Sequence, residues 1–179
     1  MRIVQINGDY IDLLIAEFPS VMESKRFHRS HTRKYIGIIF TIGKFNYYVP
    51  FSSPKFGDYN LDGTIKKNNI FSIKMTKNDF NGRKALLGTL KFNNMIPVPM
   101  AFVEGYSIEG EADEKYRDIV KDEFEYINKN QTLITKTAKH IYNFKLHEKE
   151  NKNVLNAKQY NAILPFDKIE DFLMKKKMI

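Results

Sequence analysis

Residues 35–55 read YIGIIFTIGKFNYYVPFSSPK, two β-branched and aromatic runs joined by the pair Gly43-Lys44. Such runs favour strands, and a short glycine-containing turn between them predicts an antiparallel hairpin. The second run ends in two serines, a proline and a lysine, residues 52–55. Because the open ends of a hairpin are adjacent, we expect these residues to lie beside Arg33-Lys34, which lead into the first run.

The rest of the chain divides into an early part with strand patterns and a later part with helical patterns. Further strands are predicted at 2–6, 70–75, 84–92 and 96–103, with two prolines in the last that indicate an edge or a bend. Alternation over 70–75 predicts that this part of the sheet has only one buried face. Apolar spacing predicts helices at 10–18, capped by Asp9, at 116–127, capped by Asp113, at 132–146, and from Asp167 onward.

This order predicts an α+β protein with a helical C-terminal half. The 179 residues suit one compact domain, 1–179, and no linker or repeat divides them. The chain has no cysteine, which excludes disulfides and cysteine-bound zinc. No apolar run is long enough to cross a bilayer and no signal peptide is evident, so we expect a cytoplasmic protein without a membrane role.

Positive charge is concentrated around the predicted hairpin. The formal net charge is +8, from 29 lysines and arginines against 21 acidic residues, and no acidic residue lies between Ser24 and Gly57. Seven cations lie in this window, and the other 22 nearly balance the acids. The seven are Lys25, Arg26, Arg29, Arg33, Lys34, Lys44 and Lys55. This distribution predicts a polyanionic partner such as RNA, although a solvated basic loop would give the same pattern.

The residues at the hairpin exit suit cleavage of RNA. The ribose 2′-hydroxyl can attack the adjacent phosphate if one group removes its proton, another serves the leaving 5′-oxygen, and donors or cations stabilise the charged phosphorane. Groups of these types are supplied by Ser52, Ser53, Lys55, Arg33 or Lys34, and His31. Crowding by Arg33 and Lys34 would lower the pKa of Lys55 and let it act as a base; otherwise it acts as a fixed charge. Nucleotide-binding loops and zinc-protease motifs are absent, and neither a metal nor a cofactor is required.

Several stretches resemble the endoribonuclease toxins of type III toxin-antitoxin systems, the ToxN and AbiQ group. The most specific is an apolar residue, Pro, any residue, Ser or Thr, and then Ser-Pro-Lys, which corresponds to residues 49–55. Supporting stretches are 33–38, 96–97, 116–123, 126–127 and Asn130. The resemblance implies a strongly twisted, partly barrel-like antiparallel sheet flanked by helices. It also implies metal-independent RNA cleavage that leaves a 2′,3′-cyclic phosphate.

The resemblance further implies partners and site residues. The expected partners are a repeat-derived RNA pseudoknot antitoxin, cellular or phage RNA substrates, and a closed toxin-RNA assembly that acts in phage defence. The family's active-site residues fall on Ser52, Ser53, Lys55 and Arg33, and Arg29 stands near a tyrosine that some members use. Since arginine cannot act as a base, His31, His28 or Lys34 must stand in for proton transfer, and we add His31 to the catalytic set. Expected RNA-binding residues are Lys34, Arg29, Arg26, Lys25, His28, Lys44 and Tyr35.

Two other functions are consistent with the same residues. A non-catalytic RNA-binding module would use the same basic surface without cutting RNA. A toxin that acts by binding protein would carry no RNA when purified from its host.

Overall fold

The fold is an antiparallel sheet with helices packed on it. A computed structural model describes residues 1–23, 31–147 and 156–178. Within these ranges, seven strands form one sheet: β1 Arg2–Ile6, β2 Tyr35–Ile42, β3 Phe45–Ser52, β4 Ser72–Asn78, β5 Lys84–Lys91, β6 Ile96–Pro97 and β7 Val103–Gly105. The helices are α1 Gly8–Glu17, α2 Glu114–Lys129, α3 Gln131–Leu146, α4 Ala157–Asn161 and α5 Phe166–Lys175. The predicted α+β class with a helical C-terminal half is confirmed.

Strand β3 organises the sheet. The spatial order is β4-β5-β3-β2-β1-β7, and β6 also pairs with β3. One edge of β3 pairs with β2 to form the predicted hairpin; its other edge pairs with β6 at Tyr47–Tyr48 and with β5 at Phe51–Ser52. The sheet is open between β4 and β7 and does not close into a barrel. The last residues of β3 therefore lie where the hairpin meets the β4-β5 pair.

An aromatic cluster joins the hairpin to the C-terminal helices. The ring of Tyr47 stacks on Phe40 with centroids 4.9 Å apart and meets Tyr142 of α3 and Phe166 of α5 edge-on. Glu170 accepts hydrogen bonds from the hydroxyls of Tyr47 and Tyr142, at 2.6 and 2.9 Å. The polar ends of two buried rings are thereby satisfied, which lets them fill the core.

Two local expectations are wrong, and one short helix was not predicted. The cap of α1 is Asn7, whose side chain accepts from the backbone N–H groups of residues 9 and 10, so Asp9 is inside the helix. The segment predicted as one strand at 96–103 is two short strands separated by a 3₁₀ turn at Met100–Phe102. The short helix α4 was not predicted, because only five residues form it.

Strand β4 also differs from expectation, since both of its faces are covered. Ser72 and Lys74, predicted to face solvent, are 3% and 8% exposed. The preceding segment lies over them: Lys74 Nζ donates to the carbonyl oxygen of Lys67, and Ser72 Oγ donates to Asn69 Oδ1. Alternation in sequence cannot reveal such a cover, because it comes from a loop.

None of the helices in the described part of the chain has the length and apolar composition that crossing a membrane requires.

Candidate active site

The two ends of the hairpin are joined by a buried arginine. Arg33 is 4% exposed, and its guanidinium donates to the carbonyl oxygens of Phe51, at 2.6 Å, and of Glu23, at 3.0 Å. The backbone N–H of Phe51 also donates to the carbonyl oxygen of Lys34 at 2.9 Å. Arg33 therefore fixes the position of the chain that follows Phe51, and two of its hydrogen bonds are directed at protein rather than at a ligand.

A cleft of about 320 Å³ opens beside this joint. One wall is the entry and exit of the hairpin, and the other is formed by Tyr116, Ile119 and Glu123 of α2. The lining residues are His31, Thr32, Arg33, Lys34, Phe51, Ser53, Pro54, Leu87, Tyr116, Ile119 and Glu123. Four of the predicted site residues, His31, Arg33, Lys34 and Ser53, thus lie around one cavity, as the hairpin topology predicts.

His31 is held in a defined orientation at the rim. Its ring stacks on Tyr116 with centroids 3.8 Å apart and planes within 9°. Its Nε2 lies 3.3 Å from Asp113 Oδ2, whereas its Nδ1 is 3.9 Å from Glu111 Oε1, beyond hydrogen-bonding distance. The hydrogen bond from the backbone N–H of Tyr116 lowers the pKa of Asp113, and the hydrogen bond with His31 lowers it further. This carboxylate therefore stays ionised and orients the imidazole.

Lys34 is buried beside two tyrosine rings, one of which is Tyr116. Its Nζ lies 4.0 Å from the centroid of Tyr106 and 5.7 Å from that of Tyr116, which are cation–π distances. Burial lowers the pKa of Lys34, although nearby Glu111 acts to raise it. The cleft therefore lowers the pKa of a lysine at the entry of the hairpin.

Glu123 is a cleft residue that the sequence reasoning did not select. It is 6% exposed, and burial raises its pKa to about 8, so its carboxyl is mostly protonated at neutral pH. Within the described residues it makes no hydrogen bond or ion pair. Gly88 on β5 faces it: a Cβ there would collide with Glu123 Oε1 and would lie 3.2 Å from the carbonyl oxygen of Ser52. A glycine thus makes room for a buried acid at the end of β3.

A signal for Glu123 was present in the sequence. It lies three residues after Val120 and four before Ile127, both fully buried, and so occupies the apolar stripe of α2. Ile119, an apolar residue of the same helix, is 42% exposed and lines the cleft. An acidic residue at a position where the helical period expects an apolar one is predicted to be buried, whereas an acidic residue on the polar face is solvated.

Ser52 and Lys55 lie away from the cleft wall. Ser52 pairs with Thr89 of β5, is 3% exposed, and its hydroxyl donates to the carbonyl oxygen of Ser53 at 3.3 Å. Successive strand residues face opposite sides, so the side chain of Ser52 points away from that of Phe51, which lines the cleft. Lys55 is exposed and begins a turn in which its N–H donates to Asp58 Oδ2 at 2.9 Å. Neither side chain is among the residues that line the cleft.

Tyr35 and Lys44, which were also predicted to bind RNA, are not among the residues that line the cleft. Tyr35 is 1% exposed and packs in the core, so RNA cannot contact its side chain in this fold, and that prediction is wrong. Lys44 lies in the hairpin turn, at the opposite end of β3 from Ser52. The length of the strand puts these two ends about 23 Å apart. Lys25, Arg26, His28 and Arg29 lie outside the described residues.

Curated relatives match parts of the chain. Endoribonuclease ToxN of Bacillus thuringiensis subsp. kurstaki is 27% identical over 139 residues, which cover 76% of this chain and 64% of the relative. Endoribonuclease AbiQ of Lactococcus lactis subsp. lactis is 30% identical over 104 residues, which cover 55% of this chain and 51% of the relative. The matched segments therefore span between about half and just under two thirds of these relatives.

Solved structures match nearly the whole fold. A toxin from a bacterial type III toxin-antitoxin system, described as selectively inhibited by a non-coding RNA pseudoknot, superposes with a TM-score of 0.75 at 25% identity, covering 98% of this chain and 97% of that one. The lactococcal anti-phage endoribonuclease AbiQ superposes with a TM-score of 0.74 at 20% identity, covering 99% and 98%. The family model described as toxin ToxN of type III toxin-antitoxin systems matches residues 2–173, and this chain therefore belongs to that family.

Proposed function

We propose that this protein is an endoribonuclease toxin that cuts RNA by attack of a ribose 2′-hydroxyl on the adjacent phosphate. The observation that carries the proposal is the cleft, in which an oriented imidazole, a buried lysine, a serine hydroxyl and a protonated carboxyl surround one cavity. These are the groups that the reaction needs, and the names of the curated relatives give the same activity for those proteins.

The proton acceptor in this proposal is His31. Its Nε2 faces the carboxylate of Asp113, which places the lone pair on Nδ1. Nδ1 takes the proton of the 2′-hydroxyl as the O2′–P bond forms. Imidazole is suited to this step because it exchanges protons in the physiological range.

The proton donor is Glu123. Its protonated carboxyl gives a proton to O5′ as the P–O5′ bond breaks, leaving a 2′,3′-cyclic phosphate and a 5′-hydroxyl. The enzyme is left with His31 protonated and Glu123 ionised, and exchange with water restores both. The charge of the phosphorane is stabilised by the hydroxyl of Ser53 and by Lys34.

Analysis of product ends from purified protein tests this chemistry. With synthetic RNA and EDTA, we expect scission products that carry a 2′,3′-cyclic phosphate, read by mass spectrometry, and scission that is slower by about 10²- to 10³-fold in the Ser53→Ala variant. Products with 3′-hydroxyl ends, or scission that EDTA abolishes, would overturn the mechanism. Salt-dependent RNA binding without any scission would favour the non-catalytic alternative.

We further propose that an RNA antitoxin holds the protein inactive in the cytoplasm, in a closed toxin-RNA assembly that acts in phage defence. Family membership and the RNA pseudoknot that inhibits the similar toxin support this proposal. We expect tandem DNA repeats upstream of the coding sequence, and an RNA copy of those repeats in the natively purified complex. A natively purified protein free of RNA would contradict the proposal.

A further inference from the structure

Outside the cleft, an exposed phenyl ring lies at the hairpin exit. Phe56 follows Lys55 directly and is 93% exposed. A ring in this position contributes almost no burial to folding, so the fold does not explain it. Because the ring lies beside the Ser-Pro-Lys turn, we consider whether it contacts a ligand.

The turn that carries this ring is held by hydrogen bonds. The Asp58 side chain accepts from the Lys55 N–H at 2.9 Å, and the Asp58 N–H donates to the Lys55 carbonyl oxygen at 2.9 Å. The N–H of Tyr59 donates to the Phe56 carbonyl oxygen at 3.2 Å, and Lys66 Nζ donates to that of Gly57 at 3.0 Å. The ring therefore projects from an ordered support.

Lysines surround the same turn. Lys66 is joined to it through Gly57, and Lys55 precedes the ring. Lys91 of β5 is near Lys55 and Asp58: burial lowers its pKa first, Asp58 counteracts this, and Lys55 and Lys74 lower it further. The exposed ring thus lies among cations, with Asp58 engaged by the turn.

We propose that Phe56 is a stacking platform for a nucleobase of single-stranded RNA, with Lys55, Lys66 and Lys91 contacting the phosphates beside that base. A ring flanked by cations is the arrangement that binds single strands, because every base has a face to stack and a phosphate to neutralise. The proposal extends the proposed function by giving the substrate a binding site outside the cleft. Two residues lie between Ser53 and Phe56, so the chain between them spans at most about 11 Å and the stacked base adjoins the scissile phosphate.

The test is RNA binding measured without scission. In the Ser53→Ala background, Phe56→Ala is compared with its parent for binding of a fluorescent adenosine dodecamer and of an abasic dodecamer with the same backbone. Loss of one stacked base weakens binding by about 5- to 150-fold. We expect this loss with the adenosine strand only, and we expect Phe56→Trp to retain affinity.

Phe80 supplies a matched control. It is 96% exposed and lies in the turn between β4 and β5, so Phe80→Ala removes the same surface from another place and should leave RNA binding unchanged. Equal loss on both strands, no loss with Phe56→Ala, or an equal loss with Phe80→Ala would overturn the proposal. The proposal is also overturned if Phe56→Ala abolishes self-association of the protein and leaves its affinity for RNA unchanged. Since binding is measured without scission, failure here is distinct from failure of the proposed catalysis.

Discussion

Ser52 and Ser53 are neighbours in the chain but belong to different surfaces. Ser53 lines a cleft walled by α2, in which Glu123 is buried; Ser52 is on the opposite face, toward Thr89 and the lysines of the β4-β5 pair. Burial gives the first surface a protonated acid, whereas burial together with neighbouring cations lowers the pKa of Lys91 on the second. In the functions that we propose, the motif at residues 52–55 therefore contributes to the catalytic cleft on one side and to a charged RNA-binding surface on the other.

The largest effect that tests this division comes from Glu123. Replacement of a general acid typically costs 10²- to 10⁴-fold in rate, so we expect Glu123→Gln to lower the single-turnover scission rate by that factor. The wild-type rate should fall as the pH rises through about 8, the pKa of Glu123, and this limb should be missing in the variant. An RNA with sulfur in place of the leaving O5′ needs no acid and should be cut equally by both proteins. A variant as slow on that RNA as on ordinary RNA would mean that Glu123 is not the proton donor.

The same carboxyl should also affect folding. Its pKa is higher in the folded protein, about 8, than the ordinary value of 4.5 for the unfolded chain. Stability is therefore fully present below pH 4.5 and is lost as the pH rises to about 8, by at most roughly 5 kcal/mol. Urea unfolding between pH 5 and 8 should show this fall in the wild type and a smaller one in Glu123→Gln. Parallel curves for the two proteins would contradict the burial of an unpaired acid.

The two serines provide the direct comparison of the faces. Loss of a donor to the phosphorane typically costs 10²- to 10³-fold, and we expect this for Ser53→Ala. Ser52→Ala should remain within a few fold of wild type, because its hydroxyl is buried and turned away from the cleft. Circular dichroism would verify that both variants are folded. Equal losses would show that both serines take part in catalysis, as the family resemblance implies, and that Ser52 is not separated from the active site.

The smallest expected effect separates the two ends of the hairpin. Lys55→Ala should weaken binding of single-stranded RNA and reduce the slope of log affinity against log salt by about 0.7, the value for one phosphate contact. Lys44→Ala removes the same charge from the far turn and should change neither quantity. A common reduction in both variants would indicate that net charge, rather than a located contact, governs RNA binding.

Local pattern was sufficient for much of the architecture. The hairpin at 35–52, the strands near 72 and 84, and the Asp113-capped helix follow from residue type and period, which are short-range properties. The proximity of His31, Lys34 and Ser53 could also be predicted from the sequence, because the two ends of a hairpin are adjacent. Treating 96–103 as one strand failed, since prolines there permit either a bent strand or two short ones.

Other parts required distant segments. Lys74 is buried because residues 67–69 lie over β4, and Tyr35 is buried because sheet and helices enclose it; neither follows from the residues on either side. The role of Arg33 changed for the same reason, since its guanidinium has carbonyl partners at residues 23 and 51. The single-domain boundary, 1–179, stays a prediction.

By itself, the sequence determined the hairpin, the cationic window and the presence of hydroxyls at the hairpin exit, because these depend on neighbours along the chain. Only the tertiary structure decided which hydroxyl enters the cleft and which acid accompanies it. Glu123 has an ordinary pKa on an isolated helix; its pKa reaches about 8 because α2 lies against β4 and β5, where Gly88 leaves room for the carboxyl to be buried.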